Sequence, residues 1–282
     1  MIYTALDDFY LSAEEIESSP SRRAGVAAQL EWQLRRFGCD VIAEAVVLLD
    51  LPQVVACTAQ VLLQRFYCKR SLVHTDVKIA SISAFWLASK LEEVIEIDSP
   101  NKLRLRNVIT VFYRVFKRRE GGDLDILDPY SSRYDEIKTE VVRGERQMLR
   151  CFGFIVQVEH PHRFVLTFGG LLGLERGPLQ EAWNIANDSL RTMLCVTHSA
   201  ECVACGLLFL AVRRLGIPMP EQPYSWWEAF GVSTDTVFSV VATMTDLYTK
   251  ARPEYVALRK DFTATAGSKT QAADNSIKLK VG

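Results

Sequence analysis

Residues 80–93, ASISAFWLASKLEE, decide the fold of this chain. Ala80, Ser81, Ala84 and Ala88 recur at intervals of three or four, so they line one flank of a helix and let neighbouring helices approach closely. That is the profile of a central helix. Lys90 follows Leu87 by three residues, which sets an ammonium beside an apolar surface able to meet another protein.

Outward from this helix the periodicity stays helical, and no segment shows the short alternating pattern of a strand. A first group of helices is expected at 29–49, 53–69, 76–93, 104–118 and 132–152, and a second at 161–173, 178–194, 199–215, 224–230 and 234–250. The breaks are chemically marked: Pro52 suits a first helical turn, Thr75 an N-cap, and Ser132 with Asp135 a capping box. Gly121-Gly122, Gly177-Pro178, the proline-rich loop 216–223, and Gly231 with Ser233 supply stops. Residues 18–23 read as linker, whereas the apolar side chains of 2–11 call for a packing surface. From Pro253 the sequence is polar and aperiodic, as in a loosely attached tail.

The two groups resemble each other. Aligning 80–90 (ASISAFWLASK) with 203–213 (VACGLLFLAVR) matches Leu87 with Leu210, Ala88 with Ala211, Lys90 with Arg213 and Ser83 with Gly206. A duplicated unit with its third helix at the centre follows. The expected fold is therefore all-α: an N-terminal extension at 1–25, helical repeats at 26–158 and 159–252, and a flexible tail at 253–282.

Composition bounds the function. With 33 basic residues against 34 acidic ones, no net field draws the chain to nucleic acid or an anionic membrane. Its apolar runs fall short of the roughly 20 residues that span a bilayer, and the acidic N-terminus is unlike a secretory signal. Seven scattered cysteines read as buried thiols of a reducing compartment, the lone CxxC at 202–205 included. Phosphate-cradling, dinucleotide and nucleophile-elbow motifs are missing, so neither a cofactor nor an enzyme is indicated. His160-Pro161-His162 fits a helix start better than a metal site. The basic residues Arg104, Arg106, Arg114 and 117–119 read as a solvated helix face before a nucleic-acid contact.

One constellation points to a partner. If the helices holding Lys90 and Glu145 are neighbours, these opposite charges are framed by Leu87, Leu149 and Phe154. By spacing alone, solvated surface charges remain the commoner outcome for such a pair.

At these residues the chain resembles a cyclin with two tandem five-helix cyclin boxes. LASKLEE at 87–93 is similar to the end of the third helix of a first box, and GERQMLRCFGF at 144–154 to the end of the fifth. FGCDVI at 37–42, LPQVVACTAQVLLQRFYCKRSLVH at 51–74, VEHPHRFV at 158–165, WNIANDSLRT at 183–192 and IPMPEQPYSWWEAFG at 217–231 resemble the cyclin L group, one of the transcription and splicing cyclins. The resemblance implies a nuclear regulatory subunit that pairs with a cyclin-dependent kinase and does no chemistry itself. It implies that Lys90 and Glu145 contact the kinase's regulatory helix and that Leu87, Leu149 and Phe154 pack against it. Splicing or transcription factors are candidate further partners; direct nucleic-acid or membrane contact is not expected. Two departures stand out: the insertion VIEIDSPNKL at 94–103, and the lack within these residues of the arginine- and serine-rich tail common in the group, which favours kinase binding over a splicing role. A TFIIB-like transcription factor, which repeats the same unit but binds promoter DNA, is the alternative from another class, and a scaffold that binds no kinase is a third.

Overall fold

A computed structural model describes residues 9–94, 103–122, 126–219 and 224–258, and these are helical without a strand. Helices α1 (Ala13–Glu17) and α2 (Pro20–Arg23) precede the first repeat, α3 (Ala28–Leu48), α4 (Gln53–Lys69), α5 (Val77–Leu91), α6 (Leu105–Arg119) and α7 (Ser132–Cys151). The second comprises α8 (Pro161–Leu171), α9 (Arg176–Ser189), α10 (Leu194–Thr197), α11 (Ala200–Arg214) and α12 (Thr234–Thr249).

As its small residues require, α5 is the hub of the first repeat and packs on α3, α4, α6 and α7, while α11 packs on α8, α9 and α12 in the second. Each hub anchors its own apolar core, and Cys57, Val61 and Leu190 form a small third cluster where the repeats meet. The matched positions Ser83 and Gly206 both lie at close approaches. A Cβ on Gly144 of α7 would fall 2.4 Å from Ser83 Oγ, and one on Gly206 would fall 2.5 Å from a Val240 methyl of α12. Gly144→Ala therefore meets two opposed effects. Helix propensity favours alanine by about 1 kcal/mol, and overpacking costs about 1–3 kcal/mol. Net destabilisation is expected, and it should shrink in a Ser83→Gly background when both are followed by urea unfolding.

Several local expectations are corrected. The N-caps are Asp76 rather than Thr75, and Ser131 rather than Ser132. Pro178 lies inside the first turn of α9, where its missing N–H leaves nothing unpaired. α9 stops at Ser189 instead of running to 194, because the Ser189 and Thr192 hydroxyls donate to the carbonyls of Ala186 and Ser189 and compete with helix hydrogen bonds. Within 224–230 only Glu228–Phe230 is helical, as a 3-10 turn.

Residues 18–23 are not a linker. Ser19 caps α2, and the buried Ser21 hydroxyl accepts from the Leu72 amide at 3.1 Å. Of the apolar N-terminal stretch, Phe9 is buried edge-on against Phe152, beneath the Arg65 guanidinium, and residues 1–8 lie outside the described residues.

The segment from Pro253, expected to be loose, is docked as far as Leu258. The Tyr255 hydroxyl donates to Asp76 Oδ2 at 2.6 Å and its ring packs on Phe37, while Leu258 is buried in the first core. The remainder, 259–282, and most of the 94–103 insertion lie outside the described residues; Leu103 is a core residue.

Candidate functional site

Lys90 stands in the last turn of α5 and Glu145 in the second half of α7, and the packing of these helices brings them together: Lys90 Nζ donates to Glu145 Oε1 at 2.5 Å. The pair is asymmetric. The lysine side chain is 43% exposed and the carboxylate 11%, so the anion is fixed in the protein wall and the cation reaches outward. Trp86, one turn before Lys90, sets its ring 5.1 Å from the ammonium. The (i, i+4) spacing of Trp86 and Lys90 carried that signal in the sequence.

The three apolar residues divide. Leu87 is 4% exposed and belongs to the first core, Leu149 is half-buried against it, and Phe154 is 71% exposed. α7 ends in a Schellman motif: the Phe154 amide donates to Leu149 O and the Gly153 amide to Arg150 O, with Gly153 at φ +58°. Such a motif couples the residue after the left-handed glycine to the third residue from the helix end, here Phe154 to Leu149. Phe154 itself adopts φ +63°, a conformation that disfavours side chains other than glycine. α5 ends the same way, with Glu93 at φ +54° and the Val94 amide donating to Ser89 O.

At the C-cap of α5, Glu92 continues the site toward the second repeat. The Thr58 hydroxyl donates to Glu92 Oε1 at 2.6 Å and lies 3.0 Å from His160 Nε2. The hydroxyl proton is used on Glu92, so His160 donates from Nε2 and holds a bare, buried Nδ1 without a partner. Sequence reasoning placed His160 correctly at a helix start, as the N-cap residue of α8 before Pro161, but the link to Glu92 spans more than sixty positions and has no local signal.

Burial, with His162 and Arg65 nearby, lowers the His160 pKa to about 4. The unfolded chain therefore protonates first, near 6.5, so stability is complete above that pH and falls as the pH drops toward 4, by up to roughly 3 kcal/mol. His160→Gln, whose amide can still donate to Thr58, is expected to flatten the fall in urea-unfolding stability between about pH 7 and about pH 5.

The remaining candidates play structural parts. Burial pushes the Cys57, Cys195 and Cys205 thiols up to about 12, which withholds the reactive thiolate. Arg118 and Arg119 of the basic cluster are turned onto Glu44 of α3. Among the described residues no His, Cys, Asp and Glu group is arranged to hold a metal, and no helix is long and apolar enough to cross a membrane.

Comparison with known proteins gives one consistent answer. The family model described as cyclin, N-terminal domain, matches residues 8–157. Cyclin-L1-1 of Arabidopsis thaliana is 48% identical over 93% of this chain and 61% of its own length. Cyclin-L1-1 of Oryza sativa is 45% identical over 98% and 63%, and human Cyclin-L1 is 35% identical over 98% and 50%. The chain thus spans between half and two thirds of the relatives it matches. Among solved structures, a chain of the yeast RNA polymerase II CTD kinase CTDK-1 complex superposes with a TM-score of 0.67 at 15% identity, over 92% of this chain and 83% of that one.

Proposed function

We propose, since this chain belongs to the cyclin family and within it to the L group, that it is the regulatory subunit of a cyclin-dependent protein kinase. The observation that carries the reading is the Lys90–Glu145 pair, which joins the end of α5 to α7, with Phe154 exposed just past the end of α7: a part-exposed cation, a wall-fixed anion and an outward aromatic ring, at positions where the resemblance implies kinase contacts. Leu87 and Leu149 act from beneath, by fixing the helix turns from which the charges project.

The mechanism is a population shift. A free kinase holds its regulatory helix and activation loop away from catalytic positions, and a subunit that binds only the active arrangement enriches it. The cyclin transfers no phosphate; the kinase does. The resemblance to the L group further supports a nuclear complex that acts in transcription and pre-mRNA splicing.

Purification of the native complex tests this. The expected result is a cyclin-dependent kinase in one-to-one complex whose activity on a protein substrate is lost when this chain is removed. Recovery without any kinase, with salt-sensitive retention on promoter DNA in its place, would overturn the reading in favour of a TFIIB-like role.

A further inference from the structure

The place where the two repeats meet holds a group of charges with no part in the kinase-binding face. A cleft of about 540 Å³ is lined there by Arg36, Asp40 and Glu44 of α3, by Arg119 at the end of α6, by Arg191 after α9 and by Arg252 after α12. Its charges do not balance.

Glu44 alone is shared by three arginines: Arg119 donates to Oε1 through Nε and Nη2, Arg118 to Oε2 at 2.6 Å, and Arg252 to Oε1. Arg191 spans Asp40 at 2.6 Å and Asp188 at 3.3 Å. Arg36 makes no ion pair among the described residues and donates only to the carbonyls of Lys250 and Ala251. With Arg118, which reaches Glu44 from beside the cleft lining, five guanidiniums therefore meet three carboxylates, an excess of two positive charges.

Hydrogen bonding is also incomplete. Arg36 Nε and Arg119 Nη1 are buried donors without an acceptor, on side chains more than nine-tenths buried. Arg119 Nη1 stops 4.0 Å from the equally unpartnered Asp40 Oδ2. Buried N–H groups of this kind are rare unless something absent satisfies them.

We propose that this cleft receives a phosphate dianion, carried by a phosphorylated serine or threonine side chain of a bound protein. Three features select that ligand. The excess of two charges matches a phosphomonoester rather than a single carboxylate, guanidinium forks match phosphate oxygens, and the group is one pocket rather than a stripe that would follow a nucleic-acid backbone. The outer two arginines are exposed enough to serve: Arg118 and Arg252 have side chains 55% and 66% exposed. They can turn from Glu44 to an incoming anion, because Arg119 alone keeps Glu44 neutralised through two hydrogen bonds. The site shares no residue with the Lys90–Glu145 face, so it stands whether or not the kinase assignment does.

The test uses the 282-residue chain and calorimetric titration with capped phosphoserine amide, capped serine amide, inorganic phosphate and a ten-residue oligouridylate. Capped phosphoserine is expected to bind and capped serine not to. Arg118→Gln with Arg252→Gln, both at exposed side chains, should weaken phosphoserine binding about tenfold or more. Glu44→Gln should strengthen it, because three guanidiniums lose their competing carboxylate; a purely structural charge cluster would give no gain. Thermal midpoints establish that each variant is folded. Four outcomes overturn the proposal: no binding of capped phosphoserine, equal binding by wild type and the double arginine variant, binding of inorganic phosphate alone, or tighter binding of the oligouridylate than of phosphoserine.

Discussion

Lys90→Glu and Glu145→Lys are each expected to abolish detectable kinase binding while leaving the chain folded. The two consequences separate because the pair has a different weight in each state. In the free chain the lysine side chain is 43% exposed, so water reaches the pair and its loss costs folding less than the loss of a fully buried pair. Against a kinase helix the same charges lose water, and a missing or reversed partner there costs about 3–5 kcal/mol. That is a loss of about two to nearly four orders of magnitude in affinity. Co-purification and titration with the kinase check it, with circular dichroism confirming the fold. The double variant Lys90→Glu/Glu145→Lys sharpens the test. It restores the internal pair but presents the charges in reverse order, so binding should stay weak if the kinase reads the charge pattern. Full binding by the double variant would mean that the pair only ties α5 to α7, and retained binding in all three variants would sink the assignment of this face.

How far the sequence could lead depended on the range of the interaction. The central helices were legible because their small residues repeat at helical spacing, and Ala80, Ser81, Ala84 and Ala88 are all buried in the hub of the first repeat. Lys90 and Glu145 were legible as a candidate pair only once α5 and α7 were taken as neighbours, and the structure sets them 2.5 Å apart. Leu87 was legible as apolar, but periodicity does not separate an apolar residue that faces a partner from one that faces the core, and it faces the core.

The misses share a cause. α2 and the docked strap at 253–258 have little apolar periodicity, and they are held by polar contacts outside any helical register: Ser19 and Arg22 to Glu31 in the next helix, and, from far away in sequence, Tyr255 to Asp76 and Arg252 to Glu44. The arginine excess at the seam was hidden for the same reason. Its members come from α3, α6, the turn after α9 and the segment after α12, and the chain as a whole is nearly neutral.

The largest loss of stability is expected from Arg35→Ala, because Arg35 is a fully enclosed cation that joins three parts of the first repeat. Its residue is 2% exposed. Nε donates to Gln64 Oε1 at 2.8 Å, Nη2 to Gln64 O at 2.7 Å, and Nη1 to Glu31 Oε1 at 3.3 Å. Glu31, also buried, accepts on its other oxygen from the Ser19 hydroxyl and Arg22 Nε, which ties α2 to α3. Truncation to alanine leaves a buried carboxylate short of its closest buried cation, strands the Gln64 side chain and opens a void. Breaking a buried pair costs about 3–5 kcal/mol, a large share of the 5–15 kcal/mol that holds a typical domain together. Arg35→Met fills the void but not the charge and should fall between. Glu31→Met/Arg35→Met removes both charges, so it should cost less than the sum of the single variants by about 1–3 kcal/mol. Urea-unfolding midpoints for the set decide this, and an Arg35→Ala chain within about 0.5 kcal/mol of wild type would refute it. Limited trypsin digestion adds a local reading. Glu31→Gln keeps the core filled but loosens Ser19 and Arg22, so cleavage after Arg22 and Arg23 should quicken before the rest of the chain becomes susceptible.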